Sequence, residues 1–121
     1  MDYQEINKRN LPKWENTLKY LIEILNKNSI RYYLSSSGLH YILGEDVYPY
    51  DIDLFMTEDD VKKSFGLLKD LAISDLHIWE DKYLEFQGEY NGIPFEICEW
   101  EKVPLEIITK EFKDFEVPIV G

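Results

Sequence analysis

Tyr50-Asp51-Ile52-Asp53-Leu54-Phe55 is the stretch that decides the fold. Side chains alternate across an extended strand, so Asp51 and Asp53 share one face while Ile52 and Leu54 enter a core on the other. Two carboxylates on one face repel each other unless a cation lies between them. An oxygen-rich site of this kind suits Mg²⁺, which takes one or two carboxylates and keeps water and substrate phosphates as its other ligands. A second segment, Phe95-Glu96-Ile97, repeats the pattern of an acid between apolar residues. If its strand lies beside the first, three carboxylates meet and can hold two ions. Alternating acids and apolar residues also describe any half-exposed strand, and Glu85, Glu89 and Glu99 compete with Glu96 for the third place.

Upstream of the acid pair, residues 30–34 are β-branched and aromatic and read as a short strand. The small-residue turn Ser35-Ser36-Ser37-Gly38 follows, then Leu39, Ile42 and Leu43 mark a short helix that stops at Gly44. Residues 45–50, with Pro49, form a loop. Earlier still, Trp14, Leu18, Leu21, Ile22 and Leu25 recur at helical spacing, which predicts an amphipathic helix over residues 12–28. Pro12 suits its first turn and Asn10 its cap.

Downstream, residues 51–56 form the acid strand. Thr57 stands three residues before Asp60, a capping pattern that starts a helix over residues 58–71. Residues 76–80 are a strand. Residues 83–90 and 93–100 flank Asn91-Gly92, a strong two-residue hairpin signal. Residues 104–112 fit either a helix or an irregular strand. Residues 116–120 read as a last strand, at a sheet edge because Pro118 cannot donate to a ladder. The whole chain, 1–121, is expected to form one domain of the α+β class, a mixed sheet with helices packed mainly on one face.

Composition narrows the function classes. With 24 acidic against 13 basic residues the net charge is −11, so the overall field opposes a nucleic-acid backbone, and direct nucleic-acid binding is not expected. An acidic surface does suit basic protein partners. The single cysteine, Cys98, excludes an intrachain disulfide framework. No apolar run approaches the roughly 20 residues of a membrane helix, and the opening residues 1–5 are acidic and polar rather than a signal peptide. A cytoplasmic protein without a membrane role is expected.

Apolar strand, small-residue turn, short helix, and then Asp51-Ile52-Asp53-Leu54 with thirteen residues between Ser37 and Asp51: this order resembles the nucleotidyltransferase superfamily, the fold of the DNA polymerase β catalytic domain. Phe95-Glu96-Ile97 matches that family's third acid on a neighbouring strand. The resemblance covers roughly residues 14–100. It implies that Asp51, Asp53 and Glu96 are catalytic residues and bind metal, with Mg²⁺ at a two-metal site, and that Ser36 and Ser37 bind the phosphates of a nucleoside triphosphate. Ser36 stands where the family usually has glycine; pairing Ser37-Gly38 with the motif instead changes the spacing to Asp51 by one. A turn that opens a helix suits phosphate because the helix N-terminus presents unpaired N–H groups and a positive dipole end.

Two readings follow from the resemblance. One is an Mg²⁺-dependent nucleotidyltransferase that moves a nucleoside monophosphate from a nucleoside triphosphate to a hydroxyl acceptor. The other is a catalytically weak or inactive nucleotidyltransferase-like module that binds a protein, as the minimal antitoxin members of the family do. Its partner would be toxin-like or a substrate protein. Active members usually carry a helical region after this fold, and the chain ends about where that region would begin. A carboxylate hydrolase would need its acids roughly 5–10 Å apart across a sugar-sized cleft, which same-face neighbours fit less well. Outside the acids, His40 and His77 read as structural or exposed, and Cys98, on the strand face of Glu96, as a small core residue. Tyr48 and Tyr50 could stack on a base. Arg31 and Lys82 are the available cations for a triphosphate.

Overall fold

Asn10-Leu11-Pro12 opens the first helix as the spacing predicts, and α1 runs Leu11–Lys27 with Pro12 in its first turn. The computed structural model describes residues 6–121; the polar opening residues 1–5 lie outside them. The elements that follow are β1 (Tyr32–Ser35), α2 (Ser36–Ile42), β2 (Ile52–Met56), α3 (Glu58–Leu67), β3 (His77–Trp79), β4 (Tyr83–Tyr90), β5 (Ile93–Glu99), β6 (Ile107–Phe112) and β7 (Phe115–Val120). Five strands form one mixed sheet in the order β1-β2-β5-β4-β3. Only the β2–β5 pair is parallel; β1–β2, β4–β5 and β3–β4 run antiparallel.

Period-two burial fixes which face is which. Ile52, Leu54 and Met56 of β2 are wholly buried, as are Phe95 and Ile97 of β5 and Phe86 of β4. They meet the apolar stripe of α1, where Trp14, Leu18, Leu21 and Leu25 are also fully buried. Helix α3 packs on β4 and β5 from the same side, with Phe65 edge-on to Phe86 at a centroid distance of 5.1 Å. The expected α+β architecture, a mixed sheet with helices mainly on one face, is what the chain adopts. The opposite sheet face, which carries Asp53, Glu96 and Glu85, is left for the site.

Some expectations need adjusting. Thr57 caps α3 as predicted, its hydroxyl accepting the Asp60 N–H at 3.1 Å, but α3 ends at Leu67 and a separate 3-10 turn, Lys69–Leu71, follows. Helix α2 begins at Ser36, three residues earlier than the apolar spacing suggested, so the serine turn is itself the helix start. Residues 104–112 resolve as the strand β6, which pairs with β7 in a two-stranded sheet of its own. Pro118 faces Thr109 in that pair and, among the described residues, no other strand hydrogen-bonds to β7, as an edge proline requires.

The Asn91-Gly92 turn sets the register of the site. Both residues have positive φ, 56° and 79°, the conformation that a tight two-residue hairpin needs and that asparagine and glycine tolerate best. With Tyr90 facing Ile93, Gln87 falls opposite Glu96 and Glu85 opposite Cys98. Gly88 is required for a different reason: a Cβ there would lie 2.2 Å from the buried Phe95 ring. Gly88→Ala is therefore expected to cost about 1–3 kcal/mol through overpacking. Urea unfolding should read this as a lower midpoint at unchanged slope; an unchanged midpoint would mean that Phe95 is not held against β4.

Candidate active site

Parallel pairing of β2 with β5 puts Asp53 directly beside Glu96. Asp51 lies one step before β2 on the same face, and its backbone carbonyl is pinned by the Trp14 indole N–H at 3.1 Å. One carboxylate oxygen from each of Asp51, Asp53 and Glu96 falls within 4.8 Å of the others. The three acids singled out from the sequence are thus brought together by strand register and by a helix side chain that locks the strand entry.

The serines take different places. Ser36 lines a cavity of about 210 Å³ together with Asp53, Phe55, Trp79, Glu96 and Cys98. It opens α2 with φ of 62°, a left-handed conformation that costs an L-residue about 1–2 kcal/mol. This is the position at which glycine was expected, and the backbone there has the geometry glycine favours. The Ser36 hydroxyl serves as a hydrogen-bond partner of Asp53. Ser37 Oγ accepts the Tyr50 N–H at 2.9 Å, which ties α2 to the loop before the acid strand.

Crowded carboxylates hold protons more tightly. Burial first, then the charge of Asp53, pushes Asp51 up to about 7. Burial raises Asp53 as well, although hydrogen bonds from Ser36 and Asp51 work against it. Glu96 is raised by burial, then by Glu85, and then by the two aspartates. Cys98 is pushed up to about 12, by burial and then by the surrounding acids, so its thiol is no nucleophile near neutral pH.

Glu85 is the residue that the sequence reading treated only as a competitor. It is buried, with 3% of its surface exposed. Its Oε1 accepts from His77 Nε2 at 2.7 Å and from Gln87 Nε2 at 3.2 Å. Its Oε2 is buried without a hydrogen-bond partner among the described residues. Leaving such an atom unpaired costs about 1–3 kcal/mol. The signal was present in the Asn91-Gly92 turn, whose register puts Glu85 on the face of Glu96; burial by β3 was not readable.

All-oxygen donors at this spacing, plus an unsatisfied carboxylate oxygen beside them, fit a hard divalent cation. None of the six cavity-lining residues is cationic. Arg31 instead lies over the Trp100 ring at 5.7 Å, and Lys82 is exposed on the turn after β3.

No protein-family model and no curated protein matches the chain. Solved structures do. A crystal structure of the Thermotoga maritima protein TM1012, described as a putative nucleotidyltransferase, aligns over 91% of this chain and 78% of its own, with a TM-score of 0.77 at 15% identity. The lincosamide antibiotic adenylyltransferase LnuA, crystallised with lincomycin bound, aligns over 98% of this chain and 82% of its own, with a TM-score of 0.64 at 15% identity. The fold is that of the nucleotidyltransferases, as the order of turn and acids implied. Among the described residues, no helix is long and apolar enough to cross a membrane.

The raised carboxylates carry a pH signature. Because the folded state binds their protons more tightly than the unfolded chain, their contribution to stability is complete below the ordinary range near pH 4. It is lost as pH climbs through about 7, where Asp51 ionises. The metal-free protein is expected to melt on the order of 4 °C lower at pH 8 than at pH 5, with Asp53→Asn flattening the slope. A slope unchanged in that variant would assign the effect to the general negative charge.

Proposed function

We propose that the protein is an Mg²⁺-dependent nucleotidyltransferase that transfers a nucleoside monophosphate from a nucleoside triphosphate to a hydroxyl acceptor. The observation that carries this reading is the convergence of Asp51, Asp53 and Glu96 within 4.8 Å, with Asp53 and Glu96 lining a cavity that Ser36, the first residue of α2, also lines. Asp51 and Asp53 would hold the cation, with Glu96 as the third ligand. A divalent ion held by these three acids would supply charge neutralisation to the triphosphate. Ser36 and Ser37 contribute hydroxyls, and the start of α2 its backbone N–H groups, to the phosphates.

Glu96 takes the proton of the acceptor hydroxyl. The acceptor oxygen bonds to the α-phosphorus, the bond from that phosphorus to the bridging oxygen breaks, and pyrophosphate leaves with the electron pair. Phe55 and Trp79 give the cavity an aromatic side on which the body of an acceptor can rest. Tyr48 and Tyr50, exposed by 52% and 70% just before Asp51, offer ring faces to a nucleobase.

A second reading, a nucleotidyltransferase-like module that binds a protein partner without turnover, is favoured by the absence of a lysine or arginine among the cavity-lining residues. Calorimetry separates the two. Mg²⁺-ATP, or another Mg²⁺-nucleoside triphosphate, should bind the wild-type protein, and Asp53→Asn should weaken binding at least tenfold. A folded sample that binds no nucleoside triphosphate, with or without a protein partner, contradicts the transferase reading.

A further inference from the structure

Asp53 and Glu96 are placed by the sheet, but Asp51 is not. The β1–β2 ladder begins at Asp53 and the β2–β5 ladder at Ile52, so Asp51 precedes both. The chain that leads to it lends little support: residues 43–48 of the loop are all exposed, and Pro49 has no N–H to donate. Yet the residues of a binding constellation must be held within about 0.5 Å of their productive places, and Asp51 brings an oxygen within 4.8 Å of the other two acids.

Two side chains take hold of the backbone at this point. Ser37 Oγ accepts the Tyr50 N–H at 2.9 Å, and the Trp14 indole N–H donates to the Asp51 carbonyl at 3.1 Å. The first comes from the opening turn of α2 and the second from α1. The dipeptide Tyr50-Asp51 is therefore fixed at its first N–H and at its last carbonyl. A hydroxyl carries a donor hydrogen besides its acceptor lone pairs, so accepting from Tyr50 leaves the Ser37 hydrogen free for a phosphate oxygen.

We propose that Ser37 is a positioning residue for Asp51: by anchoring the Tyr50 N–H to α2, it sets the Asp51 carboxylate at the cation site before any nucleotide arrives. The inference rests on the metal-site reading above and goes beyond it, because the resemblance gives Ser37 to the phosphates alone. Metal ligands are generally held by an outer layer of hydrogen-bonding groups, and removing one such partner weakens metal affinity about 10–100-fold. With Trp14 still holding the Asp51 carbonyl, the lower end of that range is expected. The same bond ties the turn that carries Ser36, a residue of the cavity lining, to the strand entry that carries Asp51. Phosphate contacts and cation ligand thus belong to one connected unit.

Mn²⁺ binding to the whole chain without nucleotide, followed by electron paramagnetic resonance, separates positioning from phosphate contact. Ser37→Ala should weaken Mn²⁺ about tenfold, and Ser37→Thr, which keeps a hydroxyl, should restore the affinity. Amide hydrogen exchange of the metal-free protein, read by NMR, supplies a readout independent of the ion. The Tyr50 N–H should exchange faster in Ser37→Ala, while Leu54, inside both ladders, keeps its protection and shows that the fold is intact. Wild-type Mn²⁺ affinity in Ser37→Ala overturns the proposal, even where Mg²⁺-ATP binding is lost, because the hydroxyl then serves phosphate alone. Equal losses in Ser37→Ala and Ser37→Thr overturn it as well. A wild-type protein that binds no Mn²⁺ overturns the metal-site reading and this inference with it; Mn²⁺ bound alike by wild type and Ser37→Ala leaves that reading standing and removes this inference only.

Discussion

Like charge, brought together by strand register, is the constraint on which this structure depends. Asp53 and Glu96 are neighbours in the one parallel pair of the sheet, and Asp51 joins them within 4.8 Å. Two full charges at such a distance repel by roughly 3 kcal/mol at an effective dielectric of 20. In the metal-free protein burial and mutual charge raise Asp51 and Glu96 above ordinary carboxylates, Ser36 works against that rise at Asp53, and His77 stands against the neighbouring Glu85. A divalent cation among Asp51, Asp53 and Glu96 would neutralise the same charges.

The rest of the fold can be understood as what holds that cluster in place. Repulsion alone would splay the strands, so the opposite face must bind strongly. It does so through fully buried Ile52, Leu54, Phe95 and Ile97 against α1. Trp14 joins three parts at once: its ring edge meets Tyr41 at 5.4 Å, it closes over Gly38 of α2, and its N–H holds the Asp51 carbonyl. Thr17, one turn further along α1, reaches the Tyr90 carbonyl at 3.2 Å and so steadies the hairpin that carries Glu85 and Glu96. One helix thus fixes both strands of the site.

Much of this was legible in the residues. Alternation in Asp51-Ile52-Asp53-Leu54 and in Phe95-Glu96-Ile97 put the acids on one face, and Asn91-Gly92 set the hairpin. What stayed hidden depended on contacts between distant segments. Glu85 looks like any solvated strand acid until β3 brings His77 over it, and nothing local marks that pairing. Ser36 holds a left-handed backbone that serine itself does not announce; the one pointer was the resemblance, which puts glycine at that position. Residues 107–112 alternate weakly, with most positions exposed, so their strand character comes from pairing with β7 and not from their own pattern.

The most direct measurement is anomalous X-ray scattering from crystals equilibrated with Mn²⁺ and a non-hydrolysable nucleoside triphosphate analogue. The predicted result is a manganese peak bounded by carboxylate oxygens of Asp51, Asp53 and Glu96, with the analogue's phosphates at the start of α2. Well-ordered crystals with no peak there, or with manganese only at another group of surface acids, would contradict it.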